Sequence, residues 1–456
     1  MHLALGHWAG LAVALLITAF LGIMASRKVK NADDFALAGQ ASGMTMVAGT
    51  IIGTIIGGAS TIGTAQLAFK LGLSAWWFTL GSGTALIILG LFYAKPLRSS
   101  GLATVPEFLV VNYGKGAGPL CSLTSSAGIF FSLVANILSA VPLIVALLGF
   151  SEMQAAGLIF ILILVYVFFG GVWGTGIVGV FKTVLILLCL GVSTIVAWQG
   201  MGGATGMTAA FPSHPWFSLI GRGWLLDIGS GLSVVVGVLS TQTYIQAIYG
   251  ARNVQSARKG AFLAAAITLP IGLPGVMIGL FMRAHHPEIN PIDALPMFVL
   301  SYLPEWLGGL AIGALLLAAI GGAAGLILGM ATMLTRDIAA RLVPFKSGFS
   351  ELKTTRWIVF LITFSAIAVT MANLGSLVLD WNYLSMGLRG AGTFLPLSMA
   401  VFFPGWFKGK WAMLSIAGGA LTSLLWKVLL PQGGDPLYSG LAVSALFLLV
   451  GFQRRP

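Results

Sequence analysis

Long apolar runs separated by short polar stretches make up most of the chain. Thirteen runs are about 20 residues long, the length that a helix needs to cross roughly 30 Å of hydrocarbon. We number them segments 0 to 12. They lie near residues 8–26, 43–69, 73–94, 118–149, 153–170, 173–198, 224–249, 259–282, 307–335, 357–374, 377–403, 411–429 and 437–453. The pattern predicts an all-α integral membrane protein with about thirteen transmembrane helices.

The composition excludes a soluble fold. Charged residues make up 8% of the chain, hydrophobic residues 58%, and the mean hydropathy is +0.98. An ordinary soluble domain has roughly 25% charged residues. The connections between segments average only about 15 residues, so they leave no room for a soluble catalytic domain.

The distribution of Lys and Arg predicts an orientation, because these residues collect in short cytoplasmic loops. With the N-terminus outside, 18 of the 24 fall in cytoplasmic loops, four fall outside and two, Lys182 and Arg389, fall within segments. We therefore expect a multi-pass protein of a bacterial-type inner (plasma) membrane, with the N-terminus outside, the C-terminus cytoplasmic and segment 0 an uncleaved anchor. The net charge of +12 indicates contact with anionic membrane lipids and not with nucleic acid.

The sequence gives no sign of an enzyme. Each of the five His residues lies in a predicted external loop or terminus, and no ATP-binding Walker loop occurs. His285 and His286, with Glu288 and Asp293, could bind a metal outside the membrane, although an ordinary solvated loop explains them better. We expect no cofactor other than a coupling ion, H+ or Na+.

Five short motifs occur in order over about residues 30–410. They are NADDFALAGQ at 31–40, GASTIG at 58–63, TVPEF at 104–108, QTYIQ at 242–246 and LTRDI at 334–338. Together they resemble the sodium:solute symporter family. The resemblance implies a LeuT-type core of two inverted five-helix repeats, at 43–198 and 224–403, with an extra N-terminal helix in 1–30 and two C-terminal helices in 411–456.

Glycine-rich helices at matching positions of two repeats are typical of broken helices around a transport site. Segments 1 and 6 are the candidates, and their glycines are Gly53, Gly57 and Gly58 in segment 1 and Gly229, Gly231 and Gly237 in segment 6. We expect both segments to be broken helices.

The resemblance also implies an ion site, but two of its ligands are missing. Family members hold sodium with two carbonyls of the first core helix, here at Gly53 and Ile56, and with a small residue on the eighth, here Ala318. The two hydroxyl positions are occupied by Gly321 and Gly322, which have no side-chain oxygen. Because a hard cation needs about five or six oxygen ligands, we expect sodium to bind weakly or not at all.

Lys182 occupies a position where family members often have Gln, and Gly179 occupies that of an Asp. Lys182 lies about 13 Å deep, where a Lys costs roughly 2.5–3.5 kcal/mol unless it faces a cavity or a partner. We hypothesise that its ammonium lies at the ion site and replaces the cation. The alternative is a Lys that snorkels, or that pairs with carbonyls for structural reasons.

Arg389, in segment 10, has two interpretations. It could grip a solute carboxylate with two parallel hydrogen bonds, or it could cap the backbone of a broken helix. Asp380 lies on the opposite face of a continuous helix and is a poor partner for it. The resemblance suggests further substrate-binding positions at Ser60, Phe78, Thr79, Ser82, Val234, Gly237 and Val238.

These observations predict a symporter that moves a small organic solute, carboxylate-bearing or partly apolar, by alternating access. The residues favour coupling to protons, whereas sodium is the family default. A non-transporting solute sensor with the same fold is the alternative, and a passive channel fits less well.

Overall fold

The computed structural model describes residues 3–27, 37–342, 348–430 and 434–453, and these residues form helices without any β-strand. Residues 31–36 of the first motif lie outside the described residues. By length and composition, eight of the described helices can cross a membrane, and the bent pair Trp224–Ser240 and Gln242–Tyr249 makes a ninth. The prediction of an all-α fold with many apolar spans is therefore confirmed, while the number thirteen stays a prediction.

Each predicted segment matches one helix or a set of consecutive helices. Their bounds are Leu5–Ser26 for segment 0; Met44–Ile55, the π-turn Ala59–Gly63 and Thr64–Leu71 for segment 1; Trp77–Ile88, Leu89–Tyr93 and Ala94–Ser99 for segment 2; Ala117–Leu148 for segment 3; Glu152–Gly200 for segments 4 and 5; Trp224–Ser240 and Gln242–Tyr249 for segment 6; Val254–Thr268 and Gly272–His285 for segment 7; Glu305–Met333 with Leu334–Ala339 for segment 8; Gly348–Met371 for segment 9; Val378–Arg389, Gly390–Phe394 and Leu395–Phe402 for segment 10; Gly409–Leu429 for segment 11; and Pro436–Val450 for segment 12.

Short helices that the apolar pattern does not predict lie in the connections. They are Ala38–Gln40, Val105–Tyr113, Gly203–Ala210, Ser213–Trp216, Pro291–Asp293, Ala294–Tyr302 and Ala340–Leu342. A further short helix, Gly72–Trp76, lies at the start of segment 2.

Segments 4 and 5 differ from expectation, because one helical run, Glu152–Gly200, replaces the two helices predicted at 153–170 and 173–198. A straight helix of this length would extend about 73 Å. However, Glu152 lines a cavity together with Asn290, and Gly200 packs against Phe281, nine residues before Asn290. Both ends of the run therefore lie near residues 281–290, as the ends of two antiparallel segments would.

Segment 1 is broken where its glycines predict. The helix Met44–Ile55 ends at Ile56, whose ψ of 80° is not helical, and the chain resumes a helical path at Gly58. The Gly57 N–H donates to Ile55 O at 2.9 Å and not to the carbonyl of Gly53, four residues back. The break therefore leaves the Gly53 carbonyl without its helical partner.

Segment 6 is also broken, but its break does not lie at its glycines. The bend of 40° lies at Thr241, between Ser240 and Gln242. Gly231 instead lies against the Trp77 ring, and a Cβ on Gly237 would lie 2.6 Å from the Cβ of Met386. These glycines serve close helix packing, which the sequence pattern does not distinguish from a break.

Segment 8 forms the centre of the molecule. Nearly every residue from Leu307 to Met333 is buried, because the helix packs against segments 0, 1, 3, 6 and 9 and against the run Glu152–Gly200. Its glycines allow this approach: a Cβ on Gly325 would lie 2.0 Å from the Thr54 hydroxyl of segment 1. Small residues thus bring its neighbours close to this helix.

Candidate functional site

Lys182 lies at the break in segment 1. Its side chain is fully buried, and its Nζ donates to Gly53 O at 2.5 Å and to Ala318 O at 3.3 Å. The shorter contact goes to the carbonyl that the break leaves unpaired. The longer one goes to a carbonyl inside a continuous helix, where the backbone ladder already uses the oxygen.

Of the other predicted ion-site residues, Gly321 lies beside this contact, whereas Gly322 and Ile56 have other neighbours. A Cβ on Gly321 would lie 2.9 Å from Lys182 Nζ, so the missing side chain leaves room for the ammonium. Gly322 instead has Asn136 Oδ1 and Gly57 as its nearest neighbours. Ile56 is buried at the break, and the hydrogen bonds of the ammonium go to other carbonyls.

Gly179 explains how Lys182 comes so close to segment 1. A Cβ at this position would lie 2.4 Å from Gly49 O and 2.9 Å from the Cα of Gly53. Any side chain would therefore separate segments 5 and 1. One turn later on the same helix, the Lys182 side chain reaches Gly53 O because the two backbones are in contact.

Asn136, in segment 3, hydrogen-bonds to the backbone at the break in segment 1. Its Oδ1 accepts from the Gly58 N–H at 2.9 Å, and its Nδ2 donates to Ser132 O at 2.9 Å. The hydroxyls of Ser60 and Thr61 donate to Gly57 O at 3.1 and 2.9 Å. These side chains therefore satisfy backbone groups that a continuous helix would have paired internally.

Arg389 lies beside the break in segment 6. Its Nη1 donates to Thr241 Oγ1 at 2.9 Å, and its Nε donates to Ser385 O at 3.1 Å. Its Nη2 has the hydroxyls of Ser132 and Ser385 and the sulfur of Met386 within 3.1 Å. Among the described residues no carboxylate hydrogen-bonds to the guanidinium, which ties segments 3, 6 and 10 together.

The predicted substrate-binding residues are all buried between segments 1, 2, 6 and 10. The Ser60 hydroxyl donates to Gly57 O and the Ser82 hydroxyl to Phe78 O, at 3.1 and 2.7 Å. Thr79 faces Gly272 of segment 7, and Val234 faces Gly81 of segment 2. Gly237 lies against Met386, and Val238 is fully buried. These positions are therefore packed against protein.

Phe78 connects this region to a cavity of about 670 Å³ on the face that carries Arg222 and Lys427. Its ring lies 6.5 Å from that of Tyr383, which lines the cavity and packs beneath the Arg222 guanidinium. Arg222 forms an ion pair with the buried Asp227, at 2.6 Å. Tyr383 thus separates the cavity from the packed region around Phe78.

A comparison with known protein families decides the class of protein. The model of the sodium:solute symporter family matches residues 35–417. The chain belongs to this family. As a member of a family of transporters, the protein is not an enzyme, and its apolar helices make it a multi-pass membrane protein.

Characterised relatives of this symporter-family chain include transporters of two different solutes. The human high affinity choline transporter 1 is 26% identical over 421 residues, which cover 86% of this chain and 72% of the relative. The sodium/glucose cotransporter of Vibrio parahaemolyticus is 25% identical over 459 residues, covering 90% and 82% of the two chains.

Solved structures support the same fold. A Na+-coupled sialic acid symporter superimposes with a TM-score of 0.83 at 15% sequence identity, covering 98% of this chain and 97% of that one. A nucleobase-cation-symport-1 family transporter gives a TM-score of 0.61 at 13% identity, covering 91% and 93%.

Within this family frame, the sequence does not indicate three of the residues that form the site. Asn136, Ser132 and Thr241 have no charge, and each lies in an apolar helix where a small polar residue is common. Only their contacts at the two breaks distinguish them. An Asn within an apolar segment is the one signal that could have drawn attention, because such residues usually bond to a neighbouring helix.

Proposed function

We propose that the protein moves a small organic solute across the membrane by alternating access, and that the Lys182 ammonium takes the place of the coupling sodium. The observation that carries the proposal is the contact of Lys182 Nζ with the carbonyls of Gly53 and Ala318. The family resemblance assigns both positions to the ion. The proposal includes inverted repeats at 43–198 and 224–403 and an inner-membrane location.

The chemistry of the site supports an ammonium in place of sodium. An ammonium has three donors and a single positive charge, so it satisfies an unpaired carbonyl as a cation does. Gly321 leaves room for Nζ, and neither Gly321 nor Gly322 adds an oxygen for a metal ion. Sodium and Nζ cannot occupy the same position, so bound sodium would require Lys182 to withdraw.

Proton coupling follows if Lys182 loses and regains its proton during the cycle. Membership of the family implies sodium coupling, so our proposal departs from the family default on the basis of this one side chain. A cation that binds one conformation better than another shifts the equilibrium between them. A protonated Lys182 would in this way favour the conformation in which segments 1, 5 and 8 are held together.

The first experiment needs no knowledge of the solute. The unfolding temperature of the purified protein is measured in sodium chloride and in potassium chloride at equal ionic strength. We expect the same temperature in both salts, because a ligand that does not bind the folded state does not stabilise it. A sodium-specific rise that saturates at millimolar concentration would refute the replacement of sodium by Lys182.

The solute can be sought by stability screening, starting with choline, glucose, sialic acid and small carboxylates. We propose a carboxylate-bearing solute because Arg389 is a buried cation without a carboxylate among its hydrogen-bond partners in the described residues. Arg389→Lys should then lose at least about tenfold in solute affinity, because an ammonium cannot form the bidentate pair. Unchanged affinity in a folded Arg389→Lys protein would exclude this role.

A solute sensor remains the competing function. Proteoliposomes separate the two, because a transporter accumulates labelled solute against its gradient, whereas a sensor binds it without accumulation. A channel would equilibrate the solute without concentrating it.

A further inference from the structure

Three consecutive residues, Ala103, Thr104 and Val105, receive contacts from two different segments. They precede and begin the short helix Val105–Tyr113, on the face that carries Arg98, Lys115 and Arg341, which we call the Lys/Arg-rich face. The turn is locally rigid: Thr104 Oγ1 accepts from the Glu107 N–H at 3.1 Å, and Glu107 Oε2 accepts from the Ala103 and Thr104 N–H groups. This capping box provides a fixed docking point.

Gln242 binds this turn from segment 6. Its Oε1 accepts from the Val105 N–H at 2.8 Å, and its Nε2 donates to Ala103 O at 3.2 Å. The oxygen and the nitrogen of the Gln242 side-chain amide therefore both hydrogen-bond to the same turn. Gln242 is fully buried and begins the second half of the broken segment, directly after Thr241.

Asp337 binds the same turn from segment 8. Its Oδ1 accepts from Thr104 Oγ1 at 3.2 Å, and its Oδ2 accepts from Ser122 Oγ of segment 3 at 3.0 Å. The carboxylate is almost fully buried. Segments 6 and 8 are therefore held to one turn by three hydrogen bonds, and a fourth ties segment 3 to the Asp337 carboxylate.

We infer that Gln242 and Asp337 form a latch that closes the Lys/Arg-rich face of the transporter, with Gln242 as the positioning residue that holds the inner half of segment 6. In alternating access the two faces open in turn, so opening this face requires segment 6 to leave the 103–105 turn. The latch concerns the gate and not the ion, so it does not depend on the role of Lys182.

The two native cysteines provide a reporter and a control. Cys121 precedes Ser122, which donates to Asp337 from segment 3, and lies fully buried against Thr393 of segment 10. Cys189 lies in segment 5 and is just as buried. Opening of the latch should expose Cys121 alone, whereas general loosening of the protein should expose both cysteines.

The experiment measures the rate of labelling by N-ethylmaleimide in two single-cysteine backgrounds, Cys189→Ser and Cys121→Ser. Gln242→Ala should raise the labelling rate of Cys121 by about tenfold and leave that of Cys189 within about twofold, because the latch loses two hydrogen bonds. Gln242→Glu keeps the acceptor for Val105 but loses the donor to Ala103, so it should give an intermediate rate.

Two outcomes would overturn the latch. One is an equal rise at both cysteines, and the other is an unchanged rate at Cys121 in both variants. If Gln242→Ala does not fold, the Gln242→Glu comparison decides alone. The readout needs no solute and no gradient, so its failure is distinguishable from a failure of the proposed transport function.

Discussion

The two broken segments each leave a backbone carbonyl without its helical donor, and they satisfy this carbonyl in different ways. In segment 1 the break leaves Gly53 O without its helical donor, and Lys182 supplies one. In segment 6 the Thr241 hydroxyl donates to Gly237 O at 2.6 Å, so the break satisfies its own carbonyl. One break therefore offers a carbonyl to a cation, and the other does not.

The buried cations beside the two breaks differ in the same way. Lys182 has a flexible side chain whose ammonium donates to two acceptors, one in segment 1 and one in segment 8. Small movements of these segments can therefore release it. Each of the three side-chain nitrogens of Arg389 donates to an acceptor. These acceptors lie in segments 3 and 6 and in its own segment 10. The comparison supports the coupling proposed for Lys182, and it adds an anchoring role for Arg389 to the solute contact proposed above. The predictions below test both roles from the largest effect to the smallest.

The largest effect should come from Lys182→Gln. This variant keeps a neutral donor near Gly53 O but removes the charge, so uptake driven by a pH gradient should fall to the equilibrium level, while solute exchange persists. Labelled uptake into proteoliposomes measures both. Lys259→Gln makes the same change at an exposed position and should leave uptake unaltered. Undiminished accumulation by Lys182→Gln would remove Lys182 from the coupling step.

Arg389→Ala should destabilise the protein by at least about 3 kcal/mol, because several hydrogen bonds from a charged donor are lost and a large buried side chain is removed. Unfolding in mixed micelles measures the loss. Arg283→Ala is the control, because Arg283 lies over the Phe69 ring and is exposed. If the two variants are equally stable, Arg389 is not an anchor.

Thr241→Val tests whether the Thr241 hydroxyl satisfies the carbonyl that the break in segment 6 leaves unpaired. The change keeps the shape but removes the hydroxyl that donates to Gly237 O and accepts from Arg389, so it should cost about 1–3 kcal/mol. Thr243→Val is the matched control, two residues later and also buried, whose hydroxyl has no hydrogen-bond partner among the described residues. It should be neutral or slightly stabilising, and a similar cost for both variants would contradict the assignment.

The smallest effect is a coupling between Gly322 and Asn136. A Cβ on Gly322 would lie 2.6 Å from Asn136 Oδ1, so Gly322→Ala should destabilise the protein less when Asn136→Ala is already present. We expect a difference of about 0.5–3 kcal/mol from additivity in a double-mutant cycle. Gly321→Ala should be milder, because the ammonium it meets is the end of a flexible side chain. If the two changes in stability are strictly additive, the Asn136 side chain does not limit the space available at Gly322.

The sequence by itself determined the class of the protein. Its apolar runs and low charge require a helical membrane protein, because a helix pairs its backbone internally in lipid. The family resemblance, together with Gly321 and Gly322 at the hydroxyl positions and a Lys at membrane depth, led to the prediction of a cation site without its sodium ligands. Residue type and depth follow from sequence position, whereas the assignment of these positions to an ion rests on the resemblance.

Only the tertiary structure decided how the breaks are satisfied. Gly231 and Gly237 look like break residues but pack against Trp77 and Met386, while Thr241 forms the break. Asn136, Thr241 and Gln242 act through partners more than 75 residues away in the chain. A free carbonyl or N–H accepts any donor or acceptor that folding brings within 3 Å, and sequence spacing does not encode which one arrives.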